Sequence, residues 1–112
     1  MTEKLFLGNS SQVALTDLPS LTHTGLKELI TTEKCGCPFS FNILQMDPGG
    51  QVAEQSHEAQ HAIYVINGIC RILIGEEWIT LSQGGYTYIP PNVTHAFDAD
   101  SEQGGEVLIL KL

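Results

Sequence analysis

A chain of 112 residues, 42% apolar and 16% charged, is long enough for one domain with a packed core and excludes a disordered or coiled-coil protein. Thirteen acids against five bases leave a net charge of −8, which argues against nucleic acid and anionic membrane surfaces, since both call for basic patches. No apolar run approaches the roughly 18 residues of a membrane span, and Met1-Thr2-Glu3-Lys4 opens no signal peptide, so a soluble, cytoplasmic protein is expected.

One domain is expected over residues 1–112, with 1–25 as an N-terminal arm or edge strands. Leu5-Phe6-Leu7 and Val13-Ala14-Leu15 carry short apolar runs, Asp17-Leu18-Pro19-Ser20 reads as a turn, and Thr22-His23-Thr24-Gly25 as a loop with a solvated His23. Residues 26–33 alternate imperfectly, and Thr31-Thr32 tilts them to strand. After Cys35-Gly36-Cys37-Pro38, residues 39–46 begin with period-two character. Asp47-Pro48-Gly49-Gly50 predicts a turn, with a further strand over 51–57. Strands then recur at 61–66, 69–74, 78–81, 86–89, 94–98 and 106–112. Asn67-Gly68 predicts a hairpin between the first two, and Gly- and Pro-rich turns separate the others. Many short strands without a convincing helix predict an all-β fold, a sandwich or barrel.

Three cysteines cannot form a disulfide framework in pairs, and reduced thiols are the default. Cys35 and Cys37 would make at most half a soft-metal site, and Cys70, within a β segment, reads as a small buried hydrophobe.

Three of the four histidines fall in two segments: His57 and His61 within Gln55-Ser56-His57-Glu58-Ala59-Gln60-His61, and His95 after Pro90-Pro91-Asn92-Val93-Thr94. Imidazoles concentrated in this way suggest a divalent metal site. His57-Glu58-Ala59-Gln60-His61 matches the zinc-peptidase pattern H-E-x-x-H, which works only on a helix. The β-rich residues that follow argue against a helix. Four residues of extended chain would cover about 13 Å, whereas two nitrogens on one ion each lie about 2.0–2.1 Å from it. Glu58-Ala59-Gln60 must therefore bulge or turn, bringing His57 and His61 together beside His95 from a third strand. The alternative is three interior histidines that hydrogen-bond one another or water. Glu54 and Glu58 should be solvated on the opposite parity. Tyr86 and Tyr88 read as core, and Phe41, Ile43, Ile63, Val65 and Phe97 as walls of an apolar pocket.

Segments 63–66, 69–74 and 107–110 are apolar on both parities, unlike the strand containing His95, Phe97 and Ala99. Such strands need a second layer outside the sheet, from the N-terminal arm or another subunit, and a homodimer is expected.

These residues resemble the cupin superfamily. Pro48-Gly49-Gly50 stands at the opening of its first motif, and Tyr64-Val65-Ile66-Asn67-Gly68 at the close, with six residues between His61 and Gly68. Gly84, Pro90 and His95 fall on the second motif. The resemblance covers roughly residues 40–98 and implies an antiparallel jelly-roll barrel that binds metal. Gln55 stands where the first histidine of H-x-H belongs, His57 fills the second place, and His61 replaces the usual glutamate. Asn92 replaces a glycine, and asparagine also tolerates left-handed backbone. The implied ligands are His57, His61 and His95, with Gln55 as an oxygen ligand or a donor behind them. Without the carboxylate the ion keeps its full charge, which favours anionic or enolate-like substrates and suits iron-dependent oxygen chemistry. Iron, manganese, nickel, zinc and copper all remain open.

The resemblance implies either a metal-dependent dioxygenase or isomerase acting on a small oxygen-bearing molecule, or a non-catalytic cupin that holds a small ligand or metal. A roomy pocket facing the ion favours the enzyme.

Overall fold

The computed structural model describes residues 5–112. Its seven strands are β1 (Leu21–Ile30), β2 (Ser40–Gln55), β3 (His61–Ile74), β4 (Glu77–Ser82), β5 (Tyr86–Ile89), β6 (His95–Ala99) and β7 (Gly105–Lys111). Every pairing is antiparallel. The all-β expectation is met, as a closed jelly-roll barrel of two leaves.

The two longest strands belong to both leaves. Residues 40–46 of β2 pair with β7, and 51–55 pair with β6. Residues 61–68 of β3 pair with β7, and 69–74 pair with β4 and β6. Each strand therefore runs away from one end of the barrel, bends, and returns to that end in the other leaf. The bends are Asp47-Pro48-Gly49-Gly50 and Asn67-Gly68, where Gly49 and Gly68 have φ of 75° and 77°. Both turn signals were expected to separate strands, and the structure corrects this. Positive φ at glycine here bends a continuing strand into the second leaf instead of reversing it. The strand expected over 51–57 is the second arm of β2 and ends at Gln55, before His57.

Opposite the first bend, Thr22 pairs with Gln51 and Thr24 with Met46, so β2 bulges outward at 47–50. Thr22-His23-Thr24-Gly25, expected as a loop, lies inside β1, with exposed His23 at φ 48° beside this bulge. A single helical turn, α1 (Thr32–Cys35), replaces the end of the strand expected over 26–33. Thr31 caps it by accepting from Lys34 N, and Gly36 ends it at φ 70°. All three cysteines are free thiols.

Alternation in β3 drives His61, Ile63 and Val65 inward. Ile63 and Val65 join Leu44, Val52, Ile72, Ile89, Phe97 and Val107 in one core. Cys70 is wholly buried among them, and its thiol is pushed up to about 12, first by burial and then by Asp98.

The outer faces of the leaves differ. On the β6-β3-β4 leaf, Arg71 lies 4.7 Å over the Trp78 ring and 3.7 Å from Asp98, so charge and aromatic surface cover the strands. On the other leaf, Phe6, Leu7 and Val13 of the arm border one cavity with Leu29, Ile30 and Phe41 of β1 and β2, and Phe6 and Leu7 themselves remain exposed. Tyr64, Tyr86 and Tyr88 of β3 and β5 stay 47%, 78% and 51% exposed. The tyrosines expected in the core are thus surface residues. On β5 they take the parity opposite to buried Ile89, and the Tyr88 hydroxyl donates to Gln60 Oε1. No helix among the described residues is long and apolar enough to cross a membrane.

Candidate metal centre

The mouth of the barrel is where the ends of both leaves meet, and the histidines lie there. His61 opens β3 and His95 opens β6, while His57 sits in the non-helical link from β2 to β3. Two loops fix the link. Asn92, in left-handed backbone at φ 62°, donates its N–H to the His57 carbonyl at 2.8 Å. Gln60 exchanges both backbone hydrogen bonds with Leu112, each 3.0 Å. The second sequence motif thereby holds the first in place, and the bulge demanded by the His57–His61 spacing is present.

The three rings form a nearly equilateral triangle, with centroids 4.9, 4.8 and 4.9 Å apart. One nitrogen from each lies within 4.8 Å of the others. Nitrogens bonded to one ion put ring centroids about 3.2 Å from it, hence about 4.5 Å apart at right angles and about 5.2 Å apart at tetrahedral angles. The observed triangle falls between these values. His57 and His61 each have a buried Nδ1 with no hydrogen-bond partner, an arrangement that costs about 1–3 kcal/mol per group unless something fills it. His95 Nδ1 lies 2.9 Å from the Val93 carbonyl oxygen. That oxygen only accepts, so Nδ1 carries the hydrogen and Nε2 keeps its lone pair for a ligand role. The rings make no hydrogen bonds to one another, which removes one form of the alternative reading.

The electrostatics favour neutral imidazoles. His61 is pushed down to about 4, first by burial, then by His95, His57 and Lys111. His57 is lowered by burial, then by Lys111 and His95, partly offset by the Ala59 backbone. Neutral imidazole is the metal-binding form. The donor set fits a divalent transition metal, and the three histidines could hold one; its identity is not fixed by the residues.

Gln55 pairs in register with His95 and lines the same cavity, at the edge of the triangle. Glu54 and Glu58 are exposed, as their parity requires. The cavity in front of the triangle is about 400 Å³. Its apolar walls include Leu26, Leu44, Val52, Phe97 and Ile109. Of the expected walls only Phe97 is among them. Ile63 and Val65 lie in the core, and Phe41 and Ile43 belong to the outward parity of β2. The inward parity of β2 is carried by Asn42, Leu44 and Met46, and polar Asn42, whose Oδ1 accepts from Leu29 N at 2.9 Å, disguises it in the sequence. Lys111 and Glu28 also line the cavity and were not anticipated. Only strand register brings these distant charges to the mouth.

The family model described as "Cupin domain" matches residues 42–111. No curated protein matches by sequence. Among solved structures, the polyketide cyclase RemF from Streptomyces resistomycificus is similar at TM-score 0.82 and 22% identity, over 99% of this chain and 79% of that one. A predicted oxalate decarboxylase from Thermotoga maritima gives TM-score 0.83 at 13% identity, over 95% and 97%. An RmlC-like cupin from Shewanella frigidimarina gives 0.79 at 16%, over 99% and 93%. At these identities the structural likeness establishes the fold, and the family follows from the matched residues: the chain belongs to the cupins.

Proposed function

We propose that this cupin is a metal-dependent enzyme, a dioxygenase or isomerase, acting on a small oxygen-bearing organic molecule. The observation that carries the reading is the triangle of His57, His61 and His95 opening onto a cavity of about 400 Å³, large enough for a small organic ligand. A site that only stored a metal ion would have no use for that space. Polyketides and oxalate, in the names of two of the structural neighbours, are oxygen-bearing molecules as well.

A divalent ion held by the three imidazoles, with Gln55 beside them, supplies a Lewis acid for a ligand's oxygens. The chain's own contribution is positional. The Val93 carbonyl orients the His95 ring, and the Asn92 N–H holds the loop that carries His57. Leu44, Val52 and Phe97 give the cavity an apolar wall. The test is elemental analysis of protein purified without chelator. Oxygen uptake and substrate loss are then measured for iron- and manganese-loaded protein against diketones, flavonols and thiols. Metal retention with turnover of one class supports the enzyme; metal retention with none favours the binding module.

We also propose a homodimer through the outer face of the β5-β3-β7 sheet. Tyr86 pairs with Tyr64, Tyr64 with Leu108, Tyr88 with Ala62 and Ala62 with Leu110, so these uncharged side chains share one face. Two copies of a chain carrying −8 approach most favourably through a surface poor in acids, and Glu106 at the edge of this face accepts from the Asn67 side chain. Sedimentation equilibrium should give a dimer, and Tyr86→Glu should shift it towards monomer. A monomeric wild-type protein would rule the dimer out.

A further inference from the structure

Beside the three imidazoles the cavity contains one lysine. Lys111 ends β7 and pairs in register with His61. Paired residues on antiparallel strands share a face, with Cβ atoms about 4.5–5.5 Å apart, so Lys111 stands next to His61 at the rim of the cavity. The strand end is held there by the double backbone link between Gln60 and Leu112. Among the described residues the only ion pair joins Arg71 and Asp98, so no carboxylate neutralises the Lys111 ammonium. Of the two carboxylates along the cavity wall, Glu28 and Glu33, Glu28 accepts a hydrogen bond from the Thr16 hydroxyl at 3.4 Å.

A cation at this position opposes metal binding by repelling a divalent ion, an effect that solvent around its exposed head weakens. Among the described residues no carboxylate pairs with it, and Glu28 and Glu33 border the same cavity at a greater remove than an ion pair. An anion would compensate for the repulsion, since an oxygen lying between the ion and the ammonium is attracted by both. The lysine stem can lie along the cavity rim while its head stays solvated and charged, and the apolar wall beyond offers room for a hydrocarbon body.

We propose that Lys111 is the anion-recognising residue of this cavity. The ligand class is an amphipathic carboxylate or enolate, with its charged oxygen between the metal position and the ammonium and its apolar part against Leu44, Val52 and Phe97. This rests on the metal reading above and adds to it the charge and shape of the ligand.

Cobalt-loaded protein provides the test, with the visible spectrum of the ion as readout and benzoate and benzamide as charged and neutral probes. Benzoate should perturb the spectrum at lower concentration than benzamide. Lys111→Met should weaken benzoate by about tenfold, the scale of one charge-assisted hydrogen bond. Lys111→Arg should restore most of the loss. Cobalt affinity in Lys111→Met should be equal to wild type or tighter, because a repulsion has been removed. Benzoate binding indifferent to Lys111→Met, or benzamide as effective as benzoate, would overturn the proposal and leave the metal site standing. A wild-type protein that takes up no cobalt would overturn the metal reading first and this one with it.

Discussion

At the closed end of the barrel, backbone packs against backbone with no side chain between. At the mouth, three side chains meet with no backbone between them. The closed end contains the bends of β2 and β3, where a Cβ on Gly68 would overlap the Gly104 carbonyl and lie 2.6 Å from Gly105 Cα. A Cβ on Gly104 would lie 2.6 Å from the Met46 carbonyl oxygen. The mouth instead leaves two buried imidazole nitrogens without partners. Close contact at one end thus holds the leaves together, while polar groups left unsatisfied at the other await something the chain does not itself supply.

The difference is broken most severely by Gly68→Ala. The new methyl meets rigid backbone, at a φ of 77° that L-residues rarely adopt. We expect a loss above about 4 kcal/mol, with little folded protein. Gly36→Ala is the control, because φ there is 70° but nothing lies within 4 Å. Only the conformational cost of about 1–2 kcal/mol should appear. Denaturant melts of both variants measure the contrast, and equal losses would show that φ alone, not the close approach, makes the closed end rigid.

The mouth should respond oppositely. His57→Ala removes one corner of the triangle and an orphaned nitrogen together. Metal affinity should fall by more than about 100-fold, beyond what losing a supporting residue costs, while the melting temperature of metal-free protein moves by a few degrees at most. Competition with a chromogenic chelator and calorimetry read the two effects separately. Unfolding of His57→Ala would mean that the mouth is structural after all.

A smaller effect is expected from pH. With His61 near 4 in the fold and at 6.5 unfolded, the unfolded chain binds more protons between these values. Metal-free protein should therefore be fully stabilised above pH 6.5, lose stability as pH falls towards 4, and change no further through this group below that. His57 acts in the same direction. His61→Gln should flatten this slope in chemical denaturation followed across the range. An unchanged slope would assign it to other groups.

How much of this was legible in the sequence divides along the same line. The histidines of the mouth were readable because imidazoles are rare and their spacing is chemical: His57, His61 and His95 do converge. The bends were seen as turns and misread as strand ends, because Pro-Gly-Gly and Asn-Gly carry the same local signal whether a chain reverses or crosses to a second leaf. The cavity wall was misread because Asn42 occupies an inward position, leaving Phe41 and Ile43 as the visible apolar pair. Lys111 was invisible for a different reason. Its place beside His61 is a matter of register between β3 and β7, and nothing in the residues around 111 carries that pairing.

The finest distinction at the mouth concerns Gln55. Its register partner is His95, and its side chain borders the cavity without belonging to the histidine triangle. An amide oxygen is a weak donor for the later divalent metals, whereas imidazole suits them. If Gln55 stands within reach of the ion, Gln55→His should add a fourth nitrogen and tighten zinc or nickel binding by about tenfold, with barrel stability unchanged because the position is only half buried. If Gln55 instead supports a ligand from behind, the substitution should leave affinity unchanged or weaken it. Isothermal titration of both proteins with zinc separates these outcomes. The tightening should also be smaller for manganese than for zinc, because manganese gains less from exchanging oxygen for nitrogen.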